Sequence, residues 1–288
     1  MSSTAHDLTL PDDSLAQVLE ALAADVARSA GRLVVDERPD AVEVASTKSS
    51  ATDVVTVMDQ RSQDHLLARL RESRPDDAVL GEESGGATGT SGITWVIDPI
   101  DGTVNYLYGI PAYAVSVAAV VGDPTTHGAW RPFAGAVYNP VTDELYRARA
   151  GAGSRVVRPG GEERSLTPTG CSDVGQALVA TGFGYAAERR ERQAHLLLDL
   201  LPQVRDIRRI GSAALDLCAV GAGLVDAYYE TGLNPWDLAA GWLVAAEAGA
   251  VVGGLDGPGQ DLTSACAPGL APAFPDLVEE GTRRHLRG

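Results

Sequence analysis

No run of about 18 consecutive apolar residues occurs in the 288-residue chain, so it offers no membrane-spanning helix, and a soluble protein is expected. The N-terminal residues, among them His6, Asp7, Asp12 and Asp13, lack the basic stretch and apolar centre of a secretory signal. A cytoplasmic location is the default expectation. Cysteine is scarce. Cys171, Cys218 and Cys266 are odd in number, far apart and in no C-x-x-C arrangement, which argues against a disulfide framework and a zinc site and leaves packed thiols. The five histidines, His6, His65, His127, His195 and His285, form no spaced cluster, so a histidine-built metal site and a Ser-His-Asp hydrolase are disfavoured. Positive charge is also short: a formal net charge of −16 would repel a phosphate backbone, and nucleic acid is not an expected partner. Of the 23 basic residues only Lys48 is a lysine. Internal repeats and low-complexity tracts are absent.

What the chain does have is length for a sizeable core, as two lobes or one large layered domain. Leu15, Val18, Leu19, Leu22 and Val26 recur at helical spacing between Asp12 and Ala30, with Gly31 as a stop. Leu66, Leu67 and Leu70 mark a second helix after Asp59, closed by Pro75. Short Val- and Ile-rich runs at Ala78–Leu80, Trp95–Ile97, Tyr113–Val121 and Ala134–Tyr138 read as strands. The hydrophilic stretch Gly151–Gly170 is the expected boundary between two lobes, residues 1–160 and 161–288. Beyond it, strand patterns at Ala177–Thr181, Asp206–Ile210, Val225–Glu230 and Ala250–Val252 alternate with helical ones at Glu188–Leu201, Ala213–Val220 and Trp236–Ala248. Such alternation favours an α/β arrangement with helices packed on a sheet.

Chemistry concentrates in three acidic segments. In Trp95-Val96-Ile97-Asp98-Pro99-Ile100-Asp101-Gly102-Thr103 an apolar strand runs into two carboxylates separated by a stiff proline turn, so both can converge on one point. Gly102 allows close approach by a ligand, and Thr103 could cap a short helix or offer its hydroxyl; amides at that helix start suit a phosphate. Magnesium is commonly held by one or two carboxylates with substrate phosphate and water. An Asp-Pro turn with an N-cap is the bland alternative. Gly81-Glu82-Glu83-Ser84 and Pro235-Trp236-Asp237-Leu238-Ala239-Ala240-Gly241 add paired acids after a strand and an acid in a first helical turn. Taken singly, these are a solvated edge and a dipole preference.

Together, and in this order, the three segments resemble the acidic motifs of the inositol monophosphatase family, a branch of the lithium-sensitive phosphatases that include fructose-1,6-bisphosphatase. Arg209-Ile210-Gly211-Ser212-Ala213-Ala214 and Asp226-Ala227-Tyr228-Tyr229-Glu230 are similar to its bacterial SuhB-type members. The resemblance spans about Lys48 to Gly254. It implies a layered αβαβα sandwich of the sugar-phosphatase type, a homodimer, and two to three magnesium ions. Glu82, Asp98 and the Ile100 carbonyl would hold one ion; Asp98, Asp101 and Asp237 a second; a third would sit near Glu82 through waters. It further implies that Glu82 and Thr103, with Asp59 in the same network, activate a water. The amides of Gly102 and Thr103 would bind phosphate, and Ala213 and Glu230 would face the hydroxyls of an inositol ring, with Asp101 and Asp237 also on the substrate side.

Lys48 matches a family lysine ahead of Asp53-Val54-Val55-Thr56; exposed lysines are usually only solvated, but its matching position and solitary status set it among the catalytic residues that the resemblance implies. Alone, Asp59 would read as a helix N-cap, Glu230 as a strand end and the pair Tyr228-Tyr229 as packing. The implied reaction is hydrolysis of a small phosphate ester, myo-inositol monophosphate, by metal-activated water. Histidinol phosphate, 3′-phosphoadenosine 5′-phosphate and fructose 1,6-bisphosphate are rival substrates on the same metal core. A regulatory binding protein of this fold is the non-enzymatic alternative; loss of a metal carboxylate would be its signature, and none is lost here.

Overall fold

The computed structural model describes residues 8–48, 54–83 and 85–286; Asp53 and Ser84 of the motifs above lie outside them. Helix α1, Asp13–Asp36, opens on the Asp12 side chain, which accepts the Leu15 amide at 2.9 Å. It runs past Gly31, the expected stop. That glycine serves contact instead, since a Cβ there would stand 2.4 Å from the Tyr138 ring. A short antiparallel pair follows, β1 (Val44–Thr47) and β2 (Val54–Thr56), and then α2 (Val57–Ser73).

The first half then builds one sheet from β3 (Ala78–Gly81), β4 (Gly85–Ala87) and β5 (Ile93–Asp101), with a single helix α3 (Thr103–Tyr108), and from β6 (Ala114–Gly122), β7 (Trp130–Asn139), β8 (Glu144–Arg149), β9 (Ser154–Val157) and β10 (Glu163–Ser165). The strand order is β10-β9-β8-β7-β6-β5-β3-β4, antiparallel except where β3 lies parallel to β5. The second half alternates β11 (Leu178–Thr181), α4 (Ala187–Leu200), β12 (Asp206–Arg208), α5 (Ala213–Gly221), β13 (Ala227–Glu230) and α6 (Pro235–Glu247). It ends with β14 (Val251–Gly253), β15 (Thr263–Cys266) and α7 (Phe274–His285). Its five strands form a second sheet in the order β12-β11-β13-β15-β14.

Three apolar layers separate these elements. Leu19 and Val26 of α1 and Leu66 and Leu70 of α2 pack on Trp95, Val117, Phe133 and Tyr138 of the large sheet. Across that sheet, Val96, Ala118, Val120 and Val137 meet Leu217 of α5 and Leu238, Leu243 and Val244 of α6, whose other sides reach Tyr228 and Ala265. Beyond the small sheet, Val179, Ala227 and Tyr229 cover Leu196 and Leu200 of α4 and Phe274 and Val278 of α7. The stack is the αβαβα sandwich that the resemblance implied. Strands β5 and β6 carry near-continuous apolar runs because both faces of the large sheet are covered. Trp95, fully buried, keeps its indole N–H satisfied by donating to Asp77 at 2.9 Å.

The expected division at residue 160 falls inside the β9–β10 hairpin, and the large sheet runs on to Ser165. The stretch is hydrophilic because it forms the outer edge of that sheet. Helices α5 and α6, from the second half, pack against β6 and β7 of the first, so the middle core is shared. All three cysteines are free, Cys218 and Cys266 buried. Among the described residues no helix is long and apolar enough to cross a membrane.

A close approach of α5 to α6 depends on Gly241, where a Cβ would lie 2.9 Å from the Leu217 Cβ and 3.1 Å from the Ala214 carbonyl oxygen. A Gly241→Val variant is expected to lose about 1–3 kcal/mol of unfolding free energy through overpacking. Denaturant unfolding that leaves it as stable as the parent would contradict this helix contact.

Candidate active site

The site begins where β5 leaves its ladder. Pairing with β6 is regular up to Asp98 opposite Ser116, then slips before Asp101 opposite Ala114. The inserted Pro99 has no N–H to give the ladder, and the Ile100 amide turns back to donate to Asp98 Oδ1 at 3.0 Å. Asp98 and Asp101 thereby face the same side. Gly102 follows in the left-handed region, φ 97°, and is the N-cap of α3; a Cβ there would stand 3.0 Å from the Ala112 carbonyl and 3.1 Å from that of Gly211. Only glycine fits both the angle and the space.

Thr103 is therefore not the cap but the first residue of α3. Its hydroxyl lies 3.1 Å from both Asp59 Oδ1 and the Ile100 carbonyl. Asp59 is not an N-cap either. Thr56 caps α2, and Asp59, at the third position of a capping box, accepts the Thr56 amide at 2.8 Å and the Thr56 hydroxyl at 2.6 Å. Its other oxygen is left for Thr103.

Helix N-termini hold two of the remaining acids. Asp101 Oδ2 accepts the Ser212 hydroxyl at 2.6 Å and the Ala214 amide at 2.7 Å, which ties the end of β5 to the start of α5. Asp237 closes a capping box at the start of α6, accepting the Asn234 amide at 2.6 Å. Asp98, Asp101 and Asp237 each then offer a carboxylate oxygen, and the three lie within 4.8 Å of one another. Glu82, at the end of β3, is reached by the Lys48 ammonium at 2.6 Å, which also contacts Glu83 at 2.5 Å.

These acids sit above a cleft of about 470 Å³ whose lining includes Lys48, Glu82, Asp101, Gly102, Ala213, Glu230 and Asp237. Asp98, Ile100 and Asp59 are buried behind it. Glu230 projects from the end of β13, where Tyr228 donates its hydroxyl to Oε2 at 2.8 Å. The space for that carboxylate comes from Gly182, where a Cβ would stand 2.0 Å from Oε2. Tyr228, expected only to pack, thus packs and also positions Glu230. Sequence reading missed Ser212, Tyr228 and the cleft-lining Arg189 and Arg209. The Ser-Ala-Ala opening of a helical run is a capping signal that could have found Ser212.

Burial and mutual repulsion raise the proton affinity of the whole group. Burial, then Glu82, Asp101 and Asp237, push Asp98 well above the usual carboxylate range; burial, then Glu82 and Asp101, do the same to Asp237. Burial lifts Asp101 to about 6 in spite of Ser212 and Ala214. Burial raises Glu82 against the opposing pull of Lys48 and brings Asp59 to about 6. Glu230 reaches about 7, again by burial, with Tyr228 opposing. Acids gathered in so little space, with one ammonium drawn to Glu82 and Glu83 alone, form an anionic donor set that a hard divalent cation fits.

The model of the inositol monophosphatase family matches residues 15–281 of the chain. Inositol-1-monophosphatase SuhB of Mycobacterium tuberculosis is 47% identical over 258 residues, 85% of this chain and 86% of that protein. The Nus factor SuhB of Pasteurella multocida is 37% identical over 263 residues, 90% of this chain and 92% of that one. A solved structure of Mycobacterium tuberculosis SuhB superposes with a TM-score of 0.77 at 42% identity, covering 92% of this chain and 97% of its own.

A carboxyl whose folded pKa is raised binds its proton more tightly in the fold than in the unfolded chain. Its contribution to stability therefore falls as pH rises from its unfolded value, about 4, through its folded one. A divalent cation competes with those protons. Magnesium is thus expected to raise the melting temperature little at about pH 5 and progressively more towards pH 7.5. An equal shift at both pH values, in thermal unfolding against a chelator control, would contradict cation binding at this cluster.

Proposed function

The chain belongs to the inositol monophosphatase family, and from that premise we propose that it is a magnesium-dependent phosphomonoesterase hydrolysing myo-inositol monophosphate to inositol and phosphate. The observation that carries the reading is the convergence of Asp98, Asp101 and Asp237 within 4.8 Å at a cleft that Glu230 also lines. Glu82, Asp98, the Ile100 carbonyl, Asp101 and Asp237 would hold two to three magnesium ions. Bound there, magnesium supplies polarisation of the phosphoryl oxygens, a more acidic water and a clamp on the leaving oxygen.

The protein's own groups do the rest. Asp59 and the Ile100 carbonyl fix the Thr103 hydroxyl, and that network, with Glu82, orients the attacking water and takes up its proton. A carboxyl brought to about 6 is suited to that exchange near neutral pH. The amides of Gly102 and Thr103 receive the phosphate, while Lys48 holds Glu82 and Glu83 at the edge of the cleft. Glu230, fixed by Tyr228, accepts hydrogen bonds from ring hydroxyls remote from phosphorus, beside Ala213. A homodimer is part of the proposal, supported by family resemblance alone.

A second reading, a regulatory binding protein of this fold, draws on the relative named Nus factor SuhB. Retention of every acid in the cluster favours catalysis. Phosphate release from myo-inositol 1-phosphate, histidinol phosphate and 3′-phosphoadenosine 5′-phosphate, with and without magnesium and lithium, decides between the substrates. No magnesium-dependent release from any of them would defeat the enzymatic reading.

Asp98→Asn is expected to lower kcat by more than tenfold, a loss above about 1.4 kcal/mol, with an unchanged circular dichroism spectrum. Retention of more than a tenth of the parent rate would remove Asp98 from the reacting centre. Glu230→Ala is expected to reduce kcat/KM for myo-inositol 1-phosphate about ten- to a hundredfold, since a hydrogen bond to a charged group contributes about 1.5–3 kcal/mol. An aryl phosphate lacking those hydroxyls should be nearly unaffected. Equal losses on both substrates would place the damage at the acid cluster instead.

A further inference from the structure

One buried side chain ties the two halves of the protein together beside Asp101. Asn105, in the first turn of α3, donates its carboxamide nitrogen to the Ala112 carbonyl at 2.6 Å, to the Ile210 carbonyl at 2.9 Å and, more weakly, to the Gly211 carbonyl at 3.4 Å. Carbonyl oxygens converging on one point repel one another unless a donor sits between them. The two N–H bonds of the carboxamide supply it, and the flipped amide would place another oxygen there instead. The next residue fixes the direction of this part of α3. Tyr106, fully buried, packs with Val34, Met58, Ile100 and Tyr113, its ring edge-on to that of Tyr113 at 5.3 Å.

Both segments that Asn105 joins are neighbours of Asp101. Ala112 leads through Tyr113 into Ala114, the β6 residue opposite Asp101. Gly211 precedes Ser212, whose hydroxyl donates to Asp101 Oδ2 at 2.6 Å, with the Ala214 amide on the same oxygen at 2.7 Å. The bonds thus close a ring: Asp101 to β6, the entry to β6 to Asn105, Asn105 to the loop before α5, and that loop back to Asp101. Gly211 has φ 99°, and a Cβ on it would stand 3.0 Å from the Asn105 nitrogen, so glycine is what lets the loop come so near. Asp98 and Asp237 accept amides from their own segments, Ile100 and Asn234. Asp101 takes its donors from the other half of the chain, which makes its placement depend on how that half is docked.

We propose that Asn105 is a positioning residue for Asp101: by holding the entry to β6 and the loop before α5 together, it keeps this carboxylate in register with Asp98 and Asp237 and so sets the affinity of the acid cluster for a divalent cation. The inference rests on the reading of that cluster as a magnesium site. Magnesium tolerates little departure from octahedral geometry, so a carboxylate released from its ring of supports binds it less well even though no acid is lost. Asn105 itself bonds only backbone carbonyls and acts through them.

Magnesium is titrated calorimetrically into the intact chain at about pH 7.5, with thermal unfolding and phosphate release from myo-inositol 1-phosphate followed on the same samples. Asn105→Ala is expected to weaken magnesium binding about tenfold and to raise the magnesium concentration for half-maximal release by the same factor, with kcat at saturating magnesium within about threefold of the parent. Asn105→Ser keeps one short donor; it is expected to lose about threefold in magnesium affinity and remains measurable if the alanine variant does not fold. A residue that only stabilises the fold would lower the melting temperature alike with and without magnesium and leave the affinity unchanged. Unchanged magnesium affinity in a folded variant overturns the role of Asn105 and leaves the cation reading standing. A parent that takes up no magnesium removes the cation reading, and this inference with it.

Discussion

The elements that hold the acids of the cleft answer one electrostatic difficulty, the crowding of Asp98, Asp101 and Asp237 within 4.8 Å of one another. Like charges so close and so far out of water would separate if their backbones allowed it. They do not. Asp98 and Asp101 are fixed by a proline-containing slip in a strand buried on both faces, and Asp237 is fixed by its own capping box. Moving any one of them away would break a ladder or uncap a helix, so the repulsion is met by protons or cations rather than by movement.

The middle helices set how the two halves share that task. Ser212 and Ala214, at the start of α5, hold one oxygen of Asp101, and Asn234, before α6, holds one of Asp237. Helix N-termini carry partial positive charge, so each acid is partly compensated by the element that positions it. Because α5 and α6 also pack on Val96, Ala118 and Val120 of the large sheet, the distance between Asp101 and Asp237 is set by apolar packing. A core contact such as that of Gly241 with Leu217 thus belongs to the same mechanical unit as the site.

Much of this was legible in the chain, and the gaps have identifiable physical causes. The strand ending at Asp98, the helix opening at Pro235 and the alternation after residue 177 carried enough periodicity to be read, and the three acidic segments pointed to one another. Gly31 was misread as a stop because a glycine that lets a helix approach a tyrosine ring looks, in sequence, like one that ends it. β9 and β10 were hidden because both are short, four and three residues, and β10 is an exposed edge strand. Asp59, taken alone, and Thr103 were read as caps where Thr56 and Gly102 take that place, since only the backbone path decides which residue caps. Tyr228 could not be recognised as the support of Glu230, because alternation along a strand says which face a side chain takes and nothing of what its hydroxyl meets.

The cleft that results is lined by charges of both signs, the carboxyls of Glu82, Asp101, Glu230 and Asp237 together with Lys48, Arg189 and Arg209. On the proposed reading, a phosphate ester entering such a site would be repelled by the bare acids, so its stable binding would require cations among Asp98, Asp101 and Asp237.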